Sequence, residues 1–307
     1  MRIVFAGTPD VAVETLDALV ESGHEIVAVL TRAPAPRGRH RTPVPSPVHN
    51  RAEQLGLRVL TPKTLKGYRE SLTQLNADVA FVVAYGMLIP ADALDVFPLG
   101  WFNVHFSLLP RWRGAAPVQY AIRAGDDISG ISIFRIDSGL DTGPLIAVDP
   151  YRLGPAATTG HALKMLAHRG ARLATMVADA LSSDTPPKLH PQPEEGITLA
   201  PRLTTEFAHI DWQLSATEID RLIRSCTPEP GAWTQLPDGT RIKLLPPLVT
   251  DNHDLKPGEL QISKHEVRVG TGDGDLVLSS VQKQGKGEMP ASDWARGAHL
   301  GEDSSFV

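Results

Sequence analysis

Five short runs in the first half of the chain are apolar at almost every position: "RIVFAG" (2–7), "EIVAVLT" (25–31), "ADVAFVVAYG" (77–86), "GWFNVHF" (100–106) and "ISIFRI" (131–136). A strand with only one face in the core alternates apolar and polar residues. Runs without alternation need cover on both faces, which a mostly parallel sheet with helices on either side provides. The segments between the runs have the helical period. Val13, Leu16, Leu19 and Val20 recur on one face, and Gly23 is a suitable stop. Further candidate helices lie near residues 47–56, 67–75, 91–96 and 115–124, and a long one near 159–182. The expected fold class is therefore α/β, with a doubly wound, mostly parallel sheet.

A chain of 307 residues exceeds what one hydrophobic core usually serves, so two domains are expected. The first spans residues 1–183. The stretch "SSDTPPKLHPQPEEG", rich in proline and polar residues, reads as a linker, taken as 184–205. After it come one amphipathic helix, near 215–225, and short strand-like pieces punctuated by the tight-turn signals "PDG" and "GDGD". Residues 206–307 are expected to form a smaller β-barrel (OB-like) domain.

Composition excludes several classes. No apolar run approaches the roughly 20 residues that span a bilayer. The opening "MRIVFAGTPD" is broken too soon by Gly7 and Pro9 to act as a signal peptide. A cytoplasmic enzyme is expected. The single cysteine, Cys226, forms no internal disulfide and no thiolate cluster, and reads as a small packed side chain. The histidines lack metal-ligand spacing. "FAGTPD" lacks the G-x-G-x-x-G pattern, so no metal or nucleotide cofactor is expected. The formal net charge of −5 argues against a chain that is basic throughout. Yet no acid occurs between Glu25 and Glu53, where Arg32, Arg37, Arg39, Arg41 and Arg51 all fall. A local basic patch of this kind can steer an anionic partner. The loop around it, Thr31–Asn50, has five prolines and exceeds the usual βα connection of about 2–6 residues.

The chemistry is concentrated at the end of one apolar run. In "WFNVHF" the side chains of Asn103 and His105 share a face, while Val104 and Phe106 point the other way. In open α/β sheets, ligands gather beyond the carboxyl ends of strands. The following run leads into "DSGLDTG", where Gly139 and Gly143 permit a tight bend around Asp141. If the two strands are neighbours, this carboxylate can meet the imidazole; Asp137 reads as a turn residue. Ser107 has no G-x-S-x-G elbow around it, so a covalent serine intermediate is not indicated. Asn, His and Asp together suit an oxyanion site that also moves protons, and direct transfer of an acyl group between two substrates.

On "FAGTPD", "PSPV", "VVAYGMLIP", "NVHFSLLPRWRGAAP", "SGLDTG" and "IDW", taken in order, the chain resembles the methionyl-tRNA formyltransferases, a branch of the 10-formyltetrahydrofolate-dependent formyltransferases. The match covers nearly the whole length. Relatives that act on glycinamide ribonucleotide or nucleotide sugars share the core segments. The Arg- and Pro-rich loop and the C-terminal domain favour the tRNA branch.

The resemblance implies Asn103, His105 and Asp141 as the catalytic set. Asn103 and a protonated His105 would donate to the oxyanion, with Asp141 favouring the charged imidazole. It implies 10-formyltetrahydrofolate as co-substrate, bound around Tyr85, Gly86, Met87, Leu88, Ile89, Ser107, Leu108, Leu109, Pro110, Gly139 and Leu140. It implies methionyl-initiator-tRNA as partner, contacted by Arg37, Arg39, Arg41, Arg241, Lys243 and Lys286, with formylmethionyl-tRNA for translation initiation as product. A monomer with no membrane partner is expected. Val11, Phe106, Ser132 and "TPEPGAW" depart from the usual pattern, none of them within the trio.

Overall fold

The computed structural model describes residues 1–37, 42–298, 300 and 304–307. The chain divides into two compact units. The first comprises Met1–Pro117, Ile128–Arg152 and Leu163–Pro201; the second comprises Val118–Asp127, Leu153–Ala162 and Arg202–Val307.

The first unit is built on a seven-stranded sheet. In spatial order its strands are Leu145–Arg152, Ile128–Arg135, Trp101–His105, Val79–Val83, Arg2–Gly7, Glu25–Leu30 and Val59–Leu60. The last five run parallel to one another; Ile128–Arg135 and Leu145–Arg152 are antiparallel additions. The central strands are buried on both faces, as their unbroken apolar sequences require. On one face Val4, Ala6, Leu30, Ala80, Val82 and Trp101 join Leu72 of the helix Arg69–Thr73 in a single cluster. On the other, Gly170 of the long helix Thr159–Leu181 sits close against Val104, Phe106 and Ile131. The helix Pro47–Gln54 starts where its sequence says it should. The Ser46 side chain accepts from the His49 N–H, and Pro47 occupies the first turn, where its missing donor costs nothing.

The edge strand Leu145–Arg152 was not among the expected strands. Its exposure alternates and Pro150 lies inside it, a proline position tolerated only at a sheet edge. Part of the stretch expected to be a linker is ordered by backbone pairing. His190 and Leu145 exchange hydrogen bonds of 2.8 and 2.7 Å, and Leu199–Ala200 pairs in parallel with Arg113–Gly114.

The second unit contains two four-stranded antiparallel sheets and the helix Ala216–Ser225. The helix opens with a reciprocal capping box between Ser215 and Glu218 and buries Ile219, Leu222 and Ile223. Two pieces from earlier in the chain belong to this unit. The Arg123 guanidinium lies over the Phe207 ring at 4.5 Å, and Thr159 Oγ1 donates to the Ser225 carbonyl at 2.7 Å. Among the described residues, no helix is long and apolar enough to cross a membrane, and no group of three or more His, Cys, Asp or Glu is placed to hold a metal ion.

Candidate functional site

Trp101, Asn103 and His105 follow one another along one face of a strand. The strand starts buried, with Trp101 in the core, and turns polar at its carboxyl end. The Asn103 side chain is half-buried and makes no hydrogen bond to another described residue. His105 is 5% exposed, and the Phe134 ring of the neighbouring strand meets it edge-on at 6.3 Å.

Both ring nitrogens of His105 face defined groups. Nε2 lies 2.9 Å from the Trp112 carbonyl. A carbonyl only accepts, so Nε2 carries the hydrogen and, in the neutral ring, Nδ1 carries the lone pair. Nδ1 is 3.8 Å from Asp141 Oδ2. Burial holds the imidazole below the usual histidine pKa; the Asp141 carboxylate and the Trp112 carbonyl act in the opposite direction. Asp141 thus favours the charged ring, as expected, but desolvation outweighs it. The net direction is toward the neutral ring, opposite to the expectation of a protonated donor.

Register explains why Asp141 needs its glycines. The strand Ile128–Arg135 is antiparallel to the His105 strand, with Ser132 opposite His105 and Arg135 opposite Phe102. It therefore passes the imidazole and ends three residues beyond it, toward the amino end of the His105 strand. The loop after it doubles back to bring Asp141 to His105. A Cβ on Gly143 would lie 1.8 Å from the Arg135 carbonyl oxygen, so only glycine lets the loop fold this closely. Asp141 itself has φ +52°, in the left-handed region. Its carboxylate accepts the Gly114 N–H at 2.7 Å. Asp137 is the turn residue expected: its Oδ1 accepts from the Gly139 N–H at 3.0 Å and the Thr142 hydroxyl at 2.7 Å.

The expected folate residues differ in their settings. Ser107 is fully buried, its hydroxyl donating to the Arg111 carbonyl at 2.6 Å. Leu109 and Pro110 are buried and Leu108 is half-buried. Ser132 braces this turn from below: its Oγ donates to the Ser107 carbonyl at 2.8 Å and accepts from the Leu109 N–H at 3.0 Å. Ile89 and Tyr85 are buried and Met87 is half-buried. The Tyr85 phenol has no hydrogen-bond partner among the described residues, and burial pushes its pKa up to about 12. The Tyr85 and Gly86 carbonyls are fixed by Thr8 Oγ1 (2.8 Å) and Arg32 Nη1 (2.9 Å). Leu88 is 87% exposed and Leu140 63%, while Gly139 is also exposed.

The expected RNA contacts fall in both units of the chain. Arg39 and Arg41 lie outside the described residues; the backbone of Arg37 pairs with Thr42 in a short hairpin. In the second unit the Arg241 guanidinium covers the Trp233 ring at 3.7 Å, the Lys243 ammonium donates to the Pro230 carbonyl at 2.6 Å, and Lys286 is exposed.

Several residues were not anticipated. The Trp112 carbonyl fixes the His105 tautomer, and the Gly114 N–H anchors Asp141. Thr198 Oγ1 accepts the Trp112 N–H at 2.8 Å, and the Gln192 amide contacts the Asp141 loop. Both lie in a proline-rich stretch whose composition resembles that of a flexible tether. A cavity of about 420 Å³ is walled by Arg113, Thr142, Pro144, Gln192 and Ile197.

Residues 1–177 match the family described as "Formyl transferase", and residues 202–299 match "Formyl transferase, C-terminal domain". The chain is 49% identical to the methionyl-tRNA formyltransferase of Streptomyces coelicolor, over 98% of this chain and 98% of that protein. It is 48% identical to the one from Thermobifida fusca, over 100% and 99%. Among solved structures, the sugar 3N-formyl transferase WlaRD shares the fold with a TM-score of 0.68 at 17% identity, over 93% of this chain and 98% of that one. With both halves matched, and with close identity sustained from end to end, this chain belongs to the methionyl-tRNA formyltransferase family.

Proposed function

We propose that this protein transfers the formyl group of 10-formyltetrahydrofolate to the free α-amino group of methionyl-initiator-tRNA, giving formylmethionyl-tRNA for translation initiation. The observation that carries the reading is the placement of the buried His105 imidazole 3.8 Å from the Asp141 carboxylate and beside an uncommitted Asn103 carboxamide. No nucleophilic side chain is needed. The amine attacks the formyl carbon, and the carbonyl oxygen becomes an oxyanion that accepts a hydrogen bond from the Asn103 amide. His105 Nδ1, holding the free lone pair, takes a proton from the attacking nitrogen. The imidazolium so formed is stabilised by Asp141, and Trp112 keeps the ring oriented. As the carbon–nitrogen bond to the folate breaks, His105 returns the proton to the folate nitrogen. The amine has then lost one hydrogen, the folate nitrogen has gained one, and the enzyme is restored.

The folate fits along the segments around Tyr85–Ile89 and Ser107–Pro110 and the loop Gly139–Leu140. The solvent-facing Leu88 and Leu140 supply apolar surface there. Residues 1–183 are read as the catalytic domain and 206–307 as the tRNA-binding domain, joined by 184–205. The two antiparallel sheets of the latter are read as one small OB-like barrel. Arg37, Arg39, Arg41, Arg241, Lys243 and Lys286 are assigned to tRNA phosphates, and the enzyme to the cytoplasm as a monomer.

The test offers formyl-folate with either methionyl-tRNA or glycinamide ribonucleotide. The expected result is formylation of the former alone. Transfer to the ribonucleotide instead, or to neither, overturns the assignment.

A further inference from the structure

The Asp141 loop is held from a direction that the catalytic trio does not explain. The Gln192 side-chain amide donates to the backbone carbonyls of Asp141 and Gly143, both at 2.8 Å. Its oxygen accepts from Arg113 Nη2 at 2.7 Å and Nε at 3.1 Å. The amide orientation is not ambiguous. Two carbonyls can only accept and a guanidinium can only donate, so the NH₂ faces the loop and the oxygen faces Arg113. Both hydrogens and both lone pairs of one side chain are therefore in use.

The backbone around Gln192 is fixed at two points. Two residues earlier, His190 pairs with Leu145 in both directions. Six residues later, the Thr198 carbonyl accepts the Arg113 N–H at 2.9 Å and its hydroxyl accepts the Trp112 N–H. Gln192 thus bridges the two segments that define the site: the Trp112–Gly114 turn, which orients His105 and binds the Asp141 carboxylate, and the Asp141–Gly143 loop. Asp141 adopts φ +52°, a left-handed conformation that a non-glycine residue keeps only when its surroundings enforce it. One of those surroundings is the hydrogen bond to Asp141's own carbonyl.

We propose that Gln192 is the positioning residue of this active site, an amide clamp that holds Asp141 within reach of His105 by tying its loop to Arg113. This rests on the formyl-transfer reading. Gln192 touches no reacting atom; it sets where the carboxylate stands. Among the described residues, Asp141 is the one ionisable side chain that shifts His105; the other groups facing the ring are the Trp112 carbonyl and the Phe134 ring.

Three variants of the full chain test this. Gln192→Met keeps the length and removes all four hydrogen bonds. Gln192→Glu keeps an acceptor for Arg113 but sets a carboxylate against two carbonyls. Gln192→Asn keeps the amide and falls one methylene short. Each is expected to lower kcat on the order of 10²-fold, as a displacement of about 1 Å does, with KM for formyl-folate little changed. Melting temperatures should stay near that of the wild type, because the backbone anchors remain. In Gln192→Met, the His105 imidazole followed by NMR should titrate at lower pH than in the wild type, since the carboxylate has moved away. A Gln192→Asn enzyme with wild-type kcat overturns the proposal. So does a Gln192→Met enzyme whose His105 titration does not move, or a loss confined to KM or matched by a collapse in melting temperature. The NMR titration needs no substrate, so it stands even if the wild-type protein fails to formylate methionyl-tRNA, a failure that would count against the reaction and not against the clamp.

Discussion

Replacing Asp141 by Asn removes a charge and very little else. The carboxamide oxygen can still accept the Gly114 N–H that Oδ2 now accepts at 2.7 Å, so the loop keeps its anchor. What disappears is the attraction between the carboxylate and the imidazolium that forms at His105 during the reaction. At the observed 3.8 Å, and with an effective dielectric constant of about 20, that attraction is about 4 kcal/mol. Water reaching the partly exposed Asp141 side chain reduces the figure, so roughly 2–4 kcal/mol is expected, or about 30- to 1,000-fold in rate. The assay is kcat/KM for formylation of methionyl-tRNA as a function of pH. His105 acts as a base only when neutral, so activity rises as pH passes upward through its folded pKa. Burial already sets that value below the ordinary one, and Asp141 partly restores it. Without the carboxylate the pKa falls further. The His105 limb of the Asp141→Asn profile therefore moves to lower pH while its plateau drops; the limb of the acceptor amine is common to both enzymes. A plateau within threefold of the wild type, or a limb displaced to higher pH, would refute the reasoning.

Three other outcomes are expected. His105→Gln lowers turnover by about 10²–10⁴-fold and also changes the pH dependence of folding. A histidine whose folded pKa is depressed contributes stability that is complete above its unfolded value and lost as pH falls through the folded one, so the wild type loses stability below about 6.5 and the variant loses less, as urea titrations at several pH values would show. Gly143→Ala drives a methyl group into the Arg135 carbonyl; thermal melting should fall sharply and activity disappear, and an unchanged melting temperature would contradict the close approach. Changing Arg37, Arg39 and Arg41 together to Ala weakens methionyl-tRNA binding and flattens its salt dependence by about 0.7–0.9 in log–log slope for each phosphate no longer neutralised; an unchanged slope removes this loop from the interface.

Much of the site was readable from local pattern. Period-two alternation placed Asn103 and His105 on one face, and the unbroken apolar runs on either side placed them at the end of a buried strand. Glycines at 139 and 143 marked the bend that delivers Asp141. The ionisation state of His105 was not readable. Sequence showed an acid able to charge the ring, but the stronger influence is desolvation, which depends on everything packed around it. The strand Leu145–Arg152 was hidden because an edge strand needs neither an apolar run nor freedom from proline.

By itself the sequence determined the period of each element, the order of strands and helices, and which residue types stand at strand ends and turns. These follow from interactions within a few residues, so short windows record them. Only the tertiary structure decided what distant segments do to one another. It set Ser132 opposite His105, turned the Asp141 loop back across its own strand, grouped Val118–Asp127 and Leu153–Ala162 with the C-terminal unit, and brought Gln192 to the Asp141 carbonyl. Gln192 and Asp141 are joined by one hydrogen bond whose partners lie 51 residues apart. Nothing in the local pattern "HPQPEEG" marks it, because the loop that this side chain must satisfy exists only once the sheet has formed.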